Sequence, residues 1–170
     1  MQQNLEALDR SLRKWNLRMN VNKTKVMEVS RTGGGCEVRV QDKQVEQVKA
    51  MKYLGVMMSD DGSMDEEVEH RIGTATRMIG AMSTKVLQKS ELRRKTKMKV
   101  YNACIVPTLL YGCESWTLQV RHMSRLQAVE MKYLRRVAGV TWMDRVRNEE
   151  VRERLGQEAV TDMIYTEEAE

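Results

Sequence analysis

At 170 residues, 41% hydrophobic and 31% charged, the chain has room for one domain or two small modules and enough apolar content that disorder is not its default. A net charge of +5 and a pI near 9.2 favour polyanionic partners without naming one. Three cysteines with no C-x-x-C pair argue against a disulfide framework or zinc knuckle, and no stretch approaches the ~20 apolar residues that cross a bilayer.

Leu5, Leu8, Leu12 and Trp15 recur at helical spacing, with Arg10, Arg13 and Lys14 off that stripe, so residues 2–16 read as an amphipathic helix and not as a secretory signal. After a turn at residues 20–22, Val26, Met27 and Val29 mark residues 24–30 as a strand candidate. Gly33, Gly34 and Gly35 break it. Strict alternation over residues 36–41 predicts a half-buried strand, and a further strand is expected over residues 53–58. Residues 1–60 thus read as a helix with a small antiparallel sheet.

Helices follow. Ser63 and Glu66 match a capping box, which starts a helix near Met64 with Val68, Ile72, Ala75, Ile79, Met82 and Val86 as its stripe. Ser90 reads as the next N-cap, and Pro107 as a kink or break in the helix that carries Leu92, Met98, Tyr101, Ile105 and Leu109. Leu126, Val129, Tyr133, Leu134 and Val137 mark a helix ended by Gly139, and a short one is expected over residues 149–155. The expected class is α+β: residues 1–60, then a helical region over 61–158, then a frayed acidic tail over 159–170. With 14 methionines and no phenylalanine, methionine is expected to fill core volume.

Chemistry is concentrated in charge. Arg93, Arg94, Lys95, Lys97 and Lys99 lie within seven residues, which suits phosphate contacts and equally a solvated helix face. Arg121, Arg125, Lys132, Arg135 and Arg136 add a second cationic surface. Lys23 and Lys25 sit just before a strand, where lysine can face phosphate or protect a sheet edge. Asp60 and Asp61 could pair at a hairpin tip to hold metal, but Asp-Gly-Ser reads better as a turn into a helix. Asp9 and Asp42 lie in no convincing strand. His70 and His122 are expected on solvated helix faces, and Cys104 and Cys113 in the core.

Several segments, in order, resemble the reverse transcriptases of LINE-type (non-LTR) retrotransposons. Residues 15–26 resemble motif D, and Met51-Lys-Tyr-Leu-Gly-Val56 resembles the primer grip. Asp61-Gly-Ser-Met-Asp65, Arg71-Ile72, residues 107–116, Tyr133-Leu-Arg-Arg136 and Trp142-Met-Asp-Arg145 resemble the thumb and the region after it. The resemblance implies RNA-directed DNA synthesis in the complete enzyme, with Mg²⁺ as its metal. Lys23 becomes the motif D lysine, and Tyr53, Leu54 and Gly55 the turn that holds a primer end. Lys25, the residue 93–99 cations, Arg135 and Arg136 become backbone contacts to RNA or RNA–DNA hybrid. The family's aromatic-Ala-Asp-Asp motif lies upstream of motif D, so this chain is expected to lack the metal aspartates, to hold no cofactor and to be no enzyme alone. The resemblance and the cysteine usage imply an intracellular address, nuclear or cytoplasmic. A former palm interface left uncovered would favour self-association.

Overall fold

An α+β unit, Met1–Ser63, and a helical unit that begins at Met64 make up the computed structural model, which describes residues 1–30 and 35–167. In the first unit, α1 spans Gln2–Lys14, two residues short of expectation because Asn16 turns into the left-handed region at φ 56°. The Gln2 side chain donates to the Arg39 carbonyl (3.0 Å) and accepts from the Arg39 amide (2.9 Å), which ties the helix to β2.

The strands are short: β1 Lys25–Val26, β2 Arg39–Val40, β3 Lys43–Gln44, β4 Glu46–Gln47, β5 Ala50–Tyr53 and β6 Val56–Ser59. The alternation over residues 36–41 is visible in the burial of Val38 and Val40 and the exposure of Glu37 and Arg39. The single antiparallel sheet expected from sequence is instead three two-stranded pairs. β2·β3 and β5·β6 are antiparallel hairpins, while β1 pairs in parallel with β4, because the β2–β3 hairpin lies between them in the chain and returns it alongside β1.

The strand expected over residues 53–58 is borne out at residues 56–58, in β6, and at Tyr53, the end of β5, but a hairpin turn interrupts it at residues 54 and 55. Leu54 (φ 48°) and Gly55 (φ 90°) both take left-handed conformations, as a two-residue type I′ turn requires, and Tyr53 pairs with Val56 across it. Gly33 and Gly34, read as a break, lie outside the described residues.

In the helical unit, α2 spans Asp65–Met82 and runs into a π-helical turn at Ser83–Leu87. Its cap position falls on Met64, not Ser63, without a side-chain cap; the Ser63 amide instead donates to Asp61 Oδ1 (2.7 Å). Three acids in the first turn, Asp65, Glu66 and Glu67, complement the helix dipole there. Next comes α3, Arg94–Val100, whose cap is Arg93 and not Ser90. A second π turn, Tyr101–Ile105, leads into α4, Val106–Leu110. Pro107 therefore does not break the helix: it sits in the first turn after a π bulge, where the main-chain ladder is already interrupted.

Helix α5 spans Val120–Ala138 and ends at left-handed Gly139 (φ 73°); α6 spans Asn148–Leu155. The tail expected to fray forms α7, Val160–Glu167, because Val160 and Ile164 are fully buried in the core. That core joins α2, α3, α4, α5, α6 and α7 through Val68, Ile79, Met98, Leu109, Leu126, Val151 and Val160. Tyr101 and Tyr133 stack at its centre with ring centroids 5.3 Å apart. Methionine does fill volume: Met98 and Met131 are buried, and Met78, Met82, Met123 and Met163 pack around them.

Candidate nucleic-acid interface

The residue 93–99 run splits by role. Met98 faces the core and anchors α3, which turns Arg93, Arg94, Lys95 and Lys99 to solvent. None of these four has a carboxylate partner among the described residues. Lys97 differs: it is half-buried, and its ammonium donates to the Leu87 carbonyl (2.7 Å) at the end of the first π turn, so its charge stabilises the fold. Arg94, Lys95 and Lys99 line an open groove of about 390 Å³ together with Arg154 of α6, a residue the sequence reading passed over. Arg154 also reaches Glu150 one turn back. Only the return of the chain through α6 brings that residue beside α3, so no local pattern announces it.

The second cationic surface, on α5, is largely neutralised internally. Arg121 pairs with Asp65 (2.8 Å), and Arg125 pairs with Glu69. Arg135 donates to the Val146 carbonyl (2.7 Å), the Asn148 amide oxygen (2.9 Å) and the Thr141 carbonyl (3.3 Å), which fixes the loop after the helix. Arg136 is exposed and reaches Ser83 Oγ (3.3 Å). Lys132 remains exposed.

His122 is not on a solvated face. It is buried, its Nδ1 accepts the Gln119 amide (3.2 Å), and its Nε2 therefore donates to Asp65 Oδ1 (2.7 Å). Cys113 is buried as expected, whereas Cys104 is half-buried.

In the first unit, Lys23 is exposed on a turn. Its amide donates to both the side chain (3.2 Å) and the main chain (3.1 Å) of Asn20. Lys25 is exposed but engaged, its ammonium 3.1 Å from Glu46, its register partner across β1·β4. Tyr53 (58% exposed), Leu54 (76%) and Gly55 form the β5–β6 tip.

Asp9 lies on α1, where it accepts Gln41 Nε2 and Arg13 Nε, each at 2.9 Å, and these bonds hold its carboxyl below the usual range. Asp61 accepts the Ser63 amide, and Asp42 sits in the β2–β3 turn at φ 62°. Among the described residues no group of three or more metal-binding side chains comes together. No described helix is long and apolar enough to cross a membrane.

The chain is 30% identical over 155 residues to the probable RNA-directed DNA polymerase from transposon X-element of Drosophila melanogaster, covering 89% of this chain and 17% of that protein. It is 24% identical over 150 residues to the RNA-directed DNA polymerase from mobile element jockey of the same species, covering 87% and 16%. The jockey polymerase of Drosophila funebris matches at 22% over 150 residues, with the same coverage. The chain thus spans 16–17% of the length of these curated relatives. No family model matches, and no solved structure matches. The resemblance first carried by the motif order extends across most of the sequence.

Proposed function

We propose, from this kinship with the RNA-directed DNA polymerases of LINE-type mobile elements, that the chain is a nucleic-acid-holding segment of such an enzyme. Its helical unit, thumb-like in role, grips the phosphate backbone of RNA or an RNA–DNA template–primer duplex without reading sequence. The observation that carries this is the start of α3, where Arg93, Arg94, Lys95 and Lys99 stand exposed and unpaired among the described residues while Met98 pins the helix to the core. Cations already paired with carboxylates gain little by meeting phosphate. Free ones release the counterions condensed on it.

The first unit contributes less charge and more shape. Lys23 and the Tyr53-Leu54-Gly55 tip are assigned, by resemblance alone, to the neighbourhood of the primer end. In this reading the segment holds nucleic acid, and the isolated chain is expected to extend no primer. Such work on nucleic acid implies an intracellular setting, nuclear or cytoplasmic.

Fluorescence anisotropy of a labelled RNA–DNA hybrid, titrated with the full chain over a salt series, tests the reading. Affinity should fall linearly on log–log axes, by about 0.9 in slope for each phosphate neutralised, so engagement of all four cations contributes about 3.6. Reversing the four to glutamate should remove most of that slope. No binding at low salt, or a slope indifferent to the reversal, overturns the proposal.

A second reading has its own observation. On α1 half of the stripe read from sequence is uncovered: Leu8 is exposed and Trp15 is 80% exposed, while Leu5 and Leu12 are half-buried and the buried residue of this helix is Asp9. An amphipathic helix that presents its apolar side to water favours self-association. Light scattering should then show a concentration-dependent mass that Leu8→Glu with Trp15→Glu abolishes.

A further inference from the structure

Between α5 and α6 the chain makes a short loop, with a single 3₁₀ turn at Trp142–Asp144. Trp142 is 76% exposed and Met143 is 71% exposed. Large apolar groups this open usually belong to slack segments, but this loop is held from both sides. Asp144 Oδ2 accepts the Thr141 amide (2.6 Å) and the Thr141 hydroxyl (2.8 Å). Arg135, on the last turn of α5, donates to the carbonyls of Thr141 and Val146 and to Asn148. Val146 packs against the core, and Gly139 gives the sharp exit from α5. The main chain beneath the indole is thus fixed before any partner arrives, which lowers the ordering cost of a contact there.

Two free cations follow the indole in the chain. Arg145 and Arg147 are exposed and have no partner among the described residues. Of the acids nearest in sequence, Asp144 faces Thr141, Glu150 pairs with Arg154, and Glu149 lies in the first turn of α6. A protein partner would meet this surface with acids set against the two arginines. A polynucleotide meets both halves of it, with a base for the indole face and phosphates for the arginines.

We propose that the Trp142 loop is a base-stacking platform, on which an unpaired base of a single-stranded RNA or DNA segment lies against the Trp142 indole while Arg145 and Arg147 take the flanking phosphates. The site is distinct from the α3 cations and differs from them in mode, since α3 addresses a backbone and Trp142 addresses a base. It rests on the nucleic-acid reading above only in the class of ligand.

The tryptophans provide the probe. Trp116 is buried, and Trp15→Phe removes the other exposed indole, so emission changes in that variant report on Trp142. The full-length Trp15→Phe chain is titrated with a single-stranded uridine oligomer and with an abasic phosphodiester of equal length. The RNA should quench and shift the emission to saturation, while the abasic chain should bind more weakly with little quenching. Trp142→Ala should lower RNA affinity roughly five- to hundredfold without changing the salt slope, and Trp142→Phe should recover most of the loss.

Equal quenching by both ligands overturns the platform, as does full RNA affinity in Trp142→Ala. Charge reversal on α3 separates the two readings: a hybrid-binding slope that depends on α3, with no Trp142 response, sinks the platform and leaves the backbone grip standing. A Trp142 response with no α3 dependence does the reverse. If Trp142→Ala leaves RNA binding intact but abolishes self-association in light scattering, the loop is a protein contact and the proposal fails.

Discussion

Glu130 has no access to solvent, yet it is ionisable and sits in the middle of α5. Four donors converge on it. Arg152 of α6 approaches both oxygens, at 2.6 Å from Nη2 and 3.4 Å from Nε. The Val160 amide, at the start of α7, donates at 3.2 Å, and the Tyr101 hydroxyl at 3.4 Å. Burial pulls the Arg152 guanidinium down, but the hydrogen bond and charge of Glu130 outweigh it and leave Arg152 above its ordinary value. Glu130→Ala removes the acceptor from three helices at once and strands a buried cation. Breaking a buried pair from one side costs about 3–5 kcal/mol. At this chain size that is a fall in Tm of roughly 6–20 °C. Urea melts followed by far-ultraviolet circular dichroism would measure it, with exposed Glu153→Gln as a control expected within about 0.5 kcal/mol. Hydrogen exchange at the Val160 amide should accelerate as α7 loosens. Replacing both partners, Glu130→Leu with Arg152→Met, should return stability to within about 1 kcal/mol of the native chain, because no charge is then left buried. A Glu130→Ala loss no larger than the control's would refute the account of α7 as docked through this carboxylate.

Lys97→Met should cost about 1–2 kcal/mol in urea melts, through the lost bond to the Leu87 carbonyl, yet leave the salt slope of hybrid binding unchanged. Leu54→Asn should stabilise by about 1 kcal/mol in the same assay: Leu54 is exposed, so little packing is lost, and asparagine tolerates its φ of 48° better. The Tyr133 hydroxyl donates to the Lys97 carbonyl (2.7 Å) and is pushed up to about 12, mainly by burial. Its neutral form is favoured by folding, so this stability is present below the unfolded value near 10 and is lost as pH rises from there through 12. Urea midpoints taken between pH 9 and 12 should fall, and Tyr133→Phe should flatten part of that decline.

The helices were the legible part of the fold, since their apolar stripes match what the core buries: Val68, Ala75 and Ile79 on α2, and Leu126, Tyr133 and Leu134 on α5. Their starts were not, because capping residues are common and position alone does not select one. Ser63 and Ser90 were equally plausible, and the chain uses Met64 and Arg93. Pro107 misled because the rule for a helix interior assumes an unbroken ladder, and the π turn at Tyr101–Ile105 had already broken it. The β5–β6 turn was visible only through the resemblance, since Leu54 is an unusual residue for a left-handed position. Helix α7 was not legible at all: Glu167 to Glu170 announce a polar end, but Val160 and Ile164 lie at i and i+4 and find a core that only the tertiary fold supplies.

The cationic residues teach the sharper lesson about the candidate interface. Linear charge density singled out α3 and α5 alike, and a formal charge counts Arg121, Arg125 and Lys97 the same as Arg94. What separates them is the acid that folding brings near. Asp65 and Glu69 lie 56 residues from the arginines they neutralise, in the acid-rich first turns of α2, while the start of α3 meets no such partner among the described residues. Arg145 and Arg147 looked unremarkable in a chain of 29 basic residues, but they stand free beside an exposed indole on a loop that cannot relax away from it. A phosphate responds to the unpaired cations and not to the net charge. In the helical unit the binding surface should therefore be narrower than the sequence suggests, centred on α3 with its groove toward α6 and on the Trp142 loop. Charge reversal at Arg121 and Arg125 tests that directly: it should lower stability through loss of the α2–α5 pairs and leave the salt dependence of nucleic-acid binding almost unchanged.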